Sequence, residues 1–330
     1  PGLWLRGTNK MLSRVAERIY WMSRYMERSE NVARLVNVNS HLLMDLPRGI
    51  RVGWGSLIKI SGTGDYFNRG DTEEADERTV VRFMLSDRDN PASLLNSLSW
   101  ARENARITRE IIPMEAWELI NNLYLEVKDN LSKSVARRER NRVLHTVIAS
   151  IQQFTGLLAG CMSHNSAYDF IRIGRNLERA DMTTRIVDAG SANLLPHLSG
   201  EEDVLEPYDN ILWMSVLRSL SAYQMYSQHV QDRVNAEDVV TFLLQDGMFP
   251  RSVSHSLGEL ESCLHKLPNS DEALRAVTGV RRRLRSANIP ELLESGLQEY
   301  VDNVQLEVAD IHRQIANTWF LPVAPQAQSQ

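Results

Sequence analysis

The hydrophobic positions of this chain recur with a helical period along most of its length. In the segment 11–46, apolar side chains fall three, four and seven residues apart, which is the spacing of one helix face. Prolines stand at first turns or at the ends of such segments, where a helix tolerates them. The pattern predicts helices over 11–46, 73–85, 91–112, 113–131, 134–162, 166–195, 207–228, 236–245, 250–267, 271–287 and 290–320.

No segment shows the two-residue alternation of a strand between hairpin turns, so the sequence predicts an all-α fold. The least regular stretch is the Gly-rich segment 48–70, in which a short or imperfect helix is expected over 54–60. Residues 1–10 are expected to form an extension before the first helix. The tail 322–330 is expected to be disordered.

Two parts of the chain resemble each other. The segment 19–37 matches 170–188 at an offset of 151 residues, and the block Phe-x-x-x-Asp-x-x-x-Pro-x-Ser occurs at 83–93 and again at 242–252, at an offset of 159. Ordered matches of this kind predict a tandem duplication. Because each half alone would expose long apolar helix faces, we expect a single large helical domain built from two pseudo-symmetric repeats, 11–165 and 166–321.

The matching segments share a charged helix face. In the first, Arg24, Glu27 and Arg28 lie on one broad stripe, and the second repeats them at its own positions. If the two stripes face each other, they form one Glu/Arg cluster. Such a cluster is either a salt-bridge network that fixes how the halves dock, or an anion pocket in which surplus guanidinium groups bind a carboxylate or phosphate.

A second group of arginines occurs in the first repeat alone. Arg102, Arg106 and Arg109 recur at helical spacing, whereas the second repeat carries other residue types at these positions. The array is either a solvated helix face or part of a binding site that only the first repeat carries after the duplication. The candidate ligand-binding residues are therefore Arg24, Glu27, Arg28, Arg102, Arg106, Arg175, Glu178 and Arg179.

The shared Phe-x-x-x-Asp-x-x-x-Pro-x-Ser block has a structural interpretation. It reads as a helix end, a tight connection and a new helix whose first turn is capped by the Asp or Ser oxygen. The alternative is that the exposed amides of these helix starts belong to an anion site.

Composition and charge narrow the classes of partner. The 330 residues include 37 basic and 42 acidic side chains, so the formal net charge of −5 creates no overall field for nucleic acid or anionic lipid, and neither is expected as a partner. The uncharged segment 143–168 has too many polar groups for a lipid-facing span. We expect it to be a central helix buried on most sides. Two cysteines without metal-like spacing and no secretion signal predict a cytoplasmic protein.

No catalytic template fits the sequence. It lacks the Glu-x-x-His pairs of a di-iron bundle, the phosphate and dinucleotide glycine motifs, and the zinc-protease and nucleophile-elbow motifs. The pair Cys161 and His164 fits core packing better than a nucleophile with its base. No metal and no cofactor are expected.

The segment 11–36, with its Glu27-Arg28 pair, and the motifs at 101–106 and 176–181 resemble the bacterial alpha-E domain family. The resemblance covers about 11–320 and implies an all-helical domain with a Glu-Arg motif. It also implies a setting, because members are typically encoded beside, or fused to, a circularly permuted ATP-grasp protein and often near a transglutaminase-like peptidase. These neighbouring proteins suggest a role in peptide or amide-bond metabolism. The family supplies no catalytic residues to carry over.

Two functional classes stay open. The first is a non-catalytic helical partner or scaffold for an ATP-grasp type ligase, with the Arg/Glu cluster binding an acidic ligand or partner. The second is an enzyme of unrecognised type that uses Glu27 or Glu178 for acid/base chemistry in a buried pocket. The lack of a nucleotide motif and of a matched nucleophile and base favours the first.

Overall fold

The computed structural model describes residues 13–45, 53–67, 75–131, 137–194, 209–230 and 232–320. The predicted extension 1–10 and tail 322–330 lie outside these ranges. The regular structure that the ranges contain is helical, which confirms the all-α prediction. The helices are α1 (Ser13–Asp45), α2 (Ser56–Ser61), α3 (Glu77–Ser86), α4 (Leu94–Ile107), α5 (Met114–Asn130), α6 (Arg137–Cys161), α7 (Ser166–Leu194), α8 (Asp209–Ser219), α9 (Tyr223–His229), α10 (Ala236–Gln245), α11 (Val253–Leu264), α12 (Asp271–Ser286), α13 (Ile289–Glu294) and α14 (Leu297–Ile315).

The two longest helices, α1 and α7, form the centre of the molecule. They pack against each other, α1 also packs on α4, α6 and α8, and α7 also packs on α11, α14 and α2. The buried apolar side chains form one contiguous core that extends from Ala16 in α1 to Phe320 after α14. Polar side chains on the facing sides of α1 and α7 are therefore enclosed by other helices.

The crossing of α1 and α7 brings their backbones into contact. A Cβ atom at Gly174 of α7 would lie 2.4 Å from the carbonyl oxygen of Tyr20 in α1. At the matching contact, Ser23 Oγ of α1 donates to the carbonyl oxygen of Ile171 in α7 at 2.7 Å. A glycine at 174 is required here because any side chain would push the helices apart.

Both copies of the shared block begin a helix in the same way. Ser93 accepts a hydrogen bond from the amide of Asn96, and Ser252 accepts one from the amide of His255. The predicted helix end, tight connection and capped new helix are thus confirmed at α3–α4 and at α10–α11. The new helices start after these serines, rather than at the prolines two residues earlier. The short helix expected over 54–60 is also present, as α2.

Two segments predicted as single helices are each divided. The prediction over 207–228 fails at Ser221, whose φ of 53° separates α8 from α9, and that over 290–320 fails at Gly296, whose φ of 99° separates α13 from α14. A left-handed residue breaks the ladder of helical hydrogen bonds. The apolar periodicity continues across both breaks, so it did not reveal them.

Helix α6 lies at the periphery, so the expectation of a central helix buried on most sides is wrong. One of its faces packs on α1 and α5, while His145, Gln152 and Gly156 are exposed. The solvent face of α6 carries small and uncharged polar residues. The segment can therefore lack charged residues without being buried at the centre of the molecule. Within the described ranges, α6 is the one helix long and apolar enough to cross a membrane by length and composition, and 33% of its apolar window is buried.

Candidate functional site

Glu178 of α7 is held by two arginines of α1. Arg24 Nε donates to Glu178 Oε2 at 2.7 Å, and Arg28 Nε donates to Oε1 at 2.6 Å. The side chain of Glu178 is 1% exposed. The guanidinium groups also lie over aromatic rings, Arg24 over Trp21 and Arg28 over Tyr25. The carboxylate is therefore almost completely buried between the two helices.

Glu27 of α1 is paired from the other direction, by an ion pair with α7 and a hydrogen bond from the start of α11. Its Oε1 atom lies 3.0 Å from Arg179 Nε of α7 and 2.8 Å from Arg251 Nη1 at the start of α11. Glu27 thus pairs across the helix interface and not with Arg24 one turn earlier on α1. The expectation that the two charged stripes face each other is confirmed, and the residues around Glu27 and Glu178 are called the Glu/Arg cluster below.

Arg251 is a member of the cluster that sequence reasoning missed. It joins two carboxylates of α1, because Nη1 binds Glu27 and Nη2 lies 2.7 Å from Glu30 Oε1, and it also donates to Asn31 Oδ1 at 3.0 Å. Its place in the first copy of the shared block is taken by Ala92. The sequence contained one indication of this role: the second copy of the block has a charged residue at a position where the first copy has alanine.

Both central glutamates are ionised well below neutral pH. Burial alone would raise the pKa of Glu178, but the positive charges of Arg28 and Arg24 outweigh burial and lower the pKa to about 2. The pKa of Glu27 is lowered too, because Arg179 and Arg251 outweigh its burial. A general acid or base works best with a pKa near the working pH. Neither glutamate meets that condition.

Arg175 of α7 is the arginine of the cluster that has no ion pair among the described residues. Its Nε atom is buried without a hydrogen-bond acceptor. Burial lowers the pKa of Arg175, and the neighbouring charge of Arg179 adds to the effect. Glu27 attracts Arg175 through its charge, but its Oε1 atom is in close contact with Arg179 and Arg251, so Arg175 is left without an ion pair of its own among the described residues.

A cleft of about 270 Å³ opens at the other side of the cluster, between α1, α7, the turn after α2 and the start of α4. Its charged lining residues are Arg28, Glu178, Asp181 and Arg185. Arg185 Nε donates to Asp181 Oδ2 at 3.1 Å. Gly62 ends α2 with a φ of 65°, and a Cβ there would lie 2.5 Å from Arg185 Nη1, so the glycine lets this arginine approach the turn.

A tyrosine and a histidine extend the cluster towards α14. Arg24 Nη1 donates to the Tyr20 hydroxyl at 3.2 Å, and that hydroxyl lies 2.8 Å from His312 Nδ1. Burial, followed by the charge of Arg24, lowers the pKa of His312 to about 4. The ring is therefore neutral at physiological pH, with Nδ1 accepting the Tyr20 proton. No motif marked His312, which is 292 residues from Tyr20 in sequence.

The low pKa of His312 makes stability depend on pH. The unfolded ring takes up a proton near pH 6.5, but the folded ring does so near 4, so the free energy of unfolding should fall as the pH falls between these values. Because the ring is partly exposed, we expect a contribution of about 1 to 2 kcal/mol.

Urea unfolding at a series of pH values tests this with His312→Asn, whose side-chain oxygen can accept from Tyr20 but does not titrate. The difference in stability between the original protein and this variant should shrink or reverse below pH 6.5. The carboxylates of the cluster titrate in both proteins and cancel in the comparison. Parallel pH profiles would contradict the role of His312.

The structure does not bring Arg102 and Arg106 to the Glu/Arg cluster. Arg102 donates to Asn121 Oδ1 at 2.8 Å and lies over the rings of Trp117 and Tyr124 in α5. Arg106 pairs with Glu103 on the exposed face of α4. Ligand binding by these two arginines stays a prediction, but within the described part of the chain they form a separate surface.

The fold and the site together define a class of protein: an all-helical domain with a Glu/Arg cluster at its centre, formed by two matching helices. Over residues 11–320 the chain matches the Alpha-E family, described as a predicted alpha-helical domain with a conserved ER motif. The chain therefore belongs to the Alpha-E family, as the resemblance indicated. Its own Glu-Arg pairs, Glu27-Arg28 and Glu178-Arg179, are the residues that bind each other across α1 and α7.

Curated relatives are mycobacterial. The chain is 24% identical over 331 residues to the uncharacterized protein Mb2597 of Mycobacterium bovis and to the uncharacterized protein MT2643 of Mycobacterium tuberculosis. Each match covers 94% of this chain and 35% of the relative, so the chain spans about a third of the length of these proteins. No solved structure matches the chain.

Proposed function

We propose that this chain is a non-catalytic helical partner of an ATP-grasp type ligase in peptide or amide-bond metabolism, and that its Glu/Arg cluster holds an acidic ligand or partner segment. The observation that carries the proposal is the state of the central charges. Glu27 and Glu178 are each fixed between two arginines with a lowered pKa, which disfavours an enzyme that uses them as acid or base. Arg175, in contrast, has no ion pair among the described residues, and its buried Nε atom has no hydrogen-bond acceptor.

The setting of the family supports a partner role. Members resembling this chain are typically encoded beside, or fused to, a circularly permuted ATP-grasp protein and often near a transglutaminase-like peptidase, so these two are the proposed partners. The mycobacterial relatives are about three times as long as the matched region, which places that region beside further segments in the same chain. A helical module that works next to another protein fits both arrangements.

The proposal includes the descent of the two halves, 11–165 and 166–321, from one duplicated unit. Helices α3 and α10 have the same length and start 159 residues apart, and α4 and α11 start at the same offset. The paired contacts of Ser23 and Gly174 at the α1–α7 crossing support the same arrangement. Superposing α1 and α4 on α7 and α11 tests it. Helices that do not superpose as a set would overturn it.

Substitution of Arg175 tests the acidic ligand or partner. The full chain is mixed with its ATP-grasp protein, and binding is measured by calorimetry at matched ionic strength. Arg175→Ala is expected to weaken binding at least about tenfold, because an anion would lose a poorly solvated guanidinium group. Arg282, exposed on α12, provides the matched control as Arg282→Ala. Equal binding by Arg175→Ala and Arg282→Ala would mean that the cluster has a purely structural role.

An activity measurement separates the partner from the enzyme. Release of ADP by the ATP-grasp protein should change when the chain is added, and the chain alone should turn over nothing. Activity that survives without the ATP-grasp protein and is lost in Glu178→Gln would favour the enzyme instead.

A further inference from the structure

The surroundings of the two carboxylate pairs differ in charge at Arg251, and also in residue type at Glu30 against Asp181 and at Asn31 against Met182. By their sequence offsets, Glu27 and Glu30 of α1 correspond to Glu178 and Asp181 of α7, and Arg251 corresponds to Ala92. Arg251, which comes from the second half, places its guanidinium group between the two carboxylates of α1, 2.8 Å from Glu27 and 2.7 Å from Glu30. The corresponding pair on α7, Glu178 and Asp181, receives no guanidinium group from the start of α4, where Ala92 lies.

The space that this arginine would fill is the cleft of about 270 Å³ already described. Ala92, Glu178 and Asp181 line it together. Glu30 binds two arginines, Arg34 and Arg251, whereas Asp181 pairs with Arg185. The cleft therefore presents a carboxylate pair like that around Arg251, beside an alanine that leaves room for a group from outside the chain.

The carboxylate pair at the cleft has one guanidinium group fewer around it than the pair on α1. Around Glu27 and Glu30 there are four guanidinium groups, if Arg175 is counted through its attraction to Glu27. Around Glu178 and Asp181 there are three, contributed by Arg24, Arg28 and Arg185. These three groups already exceed the two carboxylates by one charge, so a further cation needs a carboxylate on the same ligand to keep that excess from growing.

We infer that the cleft binds a small zwitterion, whose guanidinium or ammonium group lies beside Glu178 and Asp181 as Arg251 lies beside Glu27 and Glu30. That group would donate to Asp181 and to the one remaining lone pair of Glu178, on Oε1. The carboxylate of the ligand would lie against Arg28 and Arg185, which line the same cleft. The volume is just below the range of ordinary small-molecule pockets, so the bound part is about the size of one amino acid. This site is separate from the proposed anion partner of Arg175.

A graft between the halves tests the site without a known ligand. Ala92→Arg supplies the first half with the guanidinium group of the second, and it should raise the midpoint of thermal unfolding by about 2 °C or more. Adding Asp181→Asn to this variant should remove the gain. Ala92→Met is the control for bulk and should give no gain that depends on Asp181. A gain that is the same with and without Asp181 would overturn the site.

The direct test is to measure the binding of L-arginine to the full chain by calorimetry or by NMR. We expect saturable binding that is at least about tenfold weaker in both Ala92→Arg and Asp181→Asn, and unchanged in Glu272→Gln on the exposed surface of α12. Agmatine, which lacks the carboxylate, and glutarate, which lacks the cation, should each bind more weakly. Lack of binding by the original protein, or equal binding by Ala92→Arg, would overturn the inference. Arg175→Ala should leave arginine binding unchanged. A failure of this inference can therefore be distinguished from a failure of the proposed function.

Discussion

Replacing Glu178 by alanine is expected to lower the free energy of unfolding by about 3 to 5 kcal/mol, because it leaves the buried guanidinium group of Arg24 and the partly buried one of Arg28 unpaired. Arg24 and Arg28 donate to this one carboxylate, and neither has another carboxylate within ion-pair distance among the described residues. Both positive charges would remain between α1 and α7 without compensation. Urea unfolding of the full chain measures the loss.

The position of the charge, rather than its mere removal, explains the size of this effect. Glu272→Ala removes a glutamate that pairs with Arg275 on the surface of α12, where the two side chains are 66% and 67% exposed, and should cost less than about 1 kcal/mol. Glu27→Ala should resemble Glu178→Ala, since it strands Arg179 and Arg251. A loss for Glu178→Ala no larger than that for Glu272→Ala would show that water reaches the cluster.

The sequence allowed the helices and the meeting of the two charged stripes to be predicted, for physical reasons that are local. A helix that packs on one side must carry apolar residues at helical spacing, and the chain shows that spacing throughout. The stripes of α1 and α7 recur in two copies, so a common environment for Glu27 and Glu178 followed from the duplication argument. Each of these inferences compares residues within one segment or between two similar segments.

Comparisons within or between similar segments could not identify the residues that complete the cluster. Arg251 reaches Glu27 across 224 residues and His312 reaches Tyr20 across 292, and neither contact leaves a trace in local spacing. The same limit applies to Arg102, whose helical spacing with Arg106 suits a binding face as well as a surface. Only the packing of α4 on α5 places Arg102 against Trp117.

Replacing Gly174 by alanine is expected to destabilise the protein by about 3 kcal/mol, at the upper end for an overpacked contact. The added Cβ would lie 2.4 Å from a backbone oxygen of Tyr20, which cannot rotate away as a side chain would. Gly156→Ala in α6 is the matched control, because a Cβ there meets nothing within 4 Å. That variant should stabilise by about 0.5 to 1 kcal/mol, through helix propensity alone.

The contact at Gly174 also sets the geometry of the Glu/Arg cluster, and this connection can be measured. Gly174 lies one turn before Glu178 on α7, so a shift of α7 away from Tyr20 must lengthen the 2.7 Å contact between Arg24 Nε and Glu178. If Gly174→Ala weakens that ion pair, removing Glu178 as well should cost less than in the original protein. The double variant Gly174→Ala, Glu178→Ala should therefore lose at least about 1 kcal/mol less than the sum of the single losses. Strict additivity would mean that the cluster keeps its contacts when the helices separate, and that Gly174 serves packing alone.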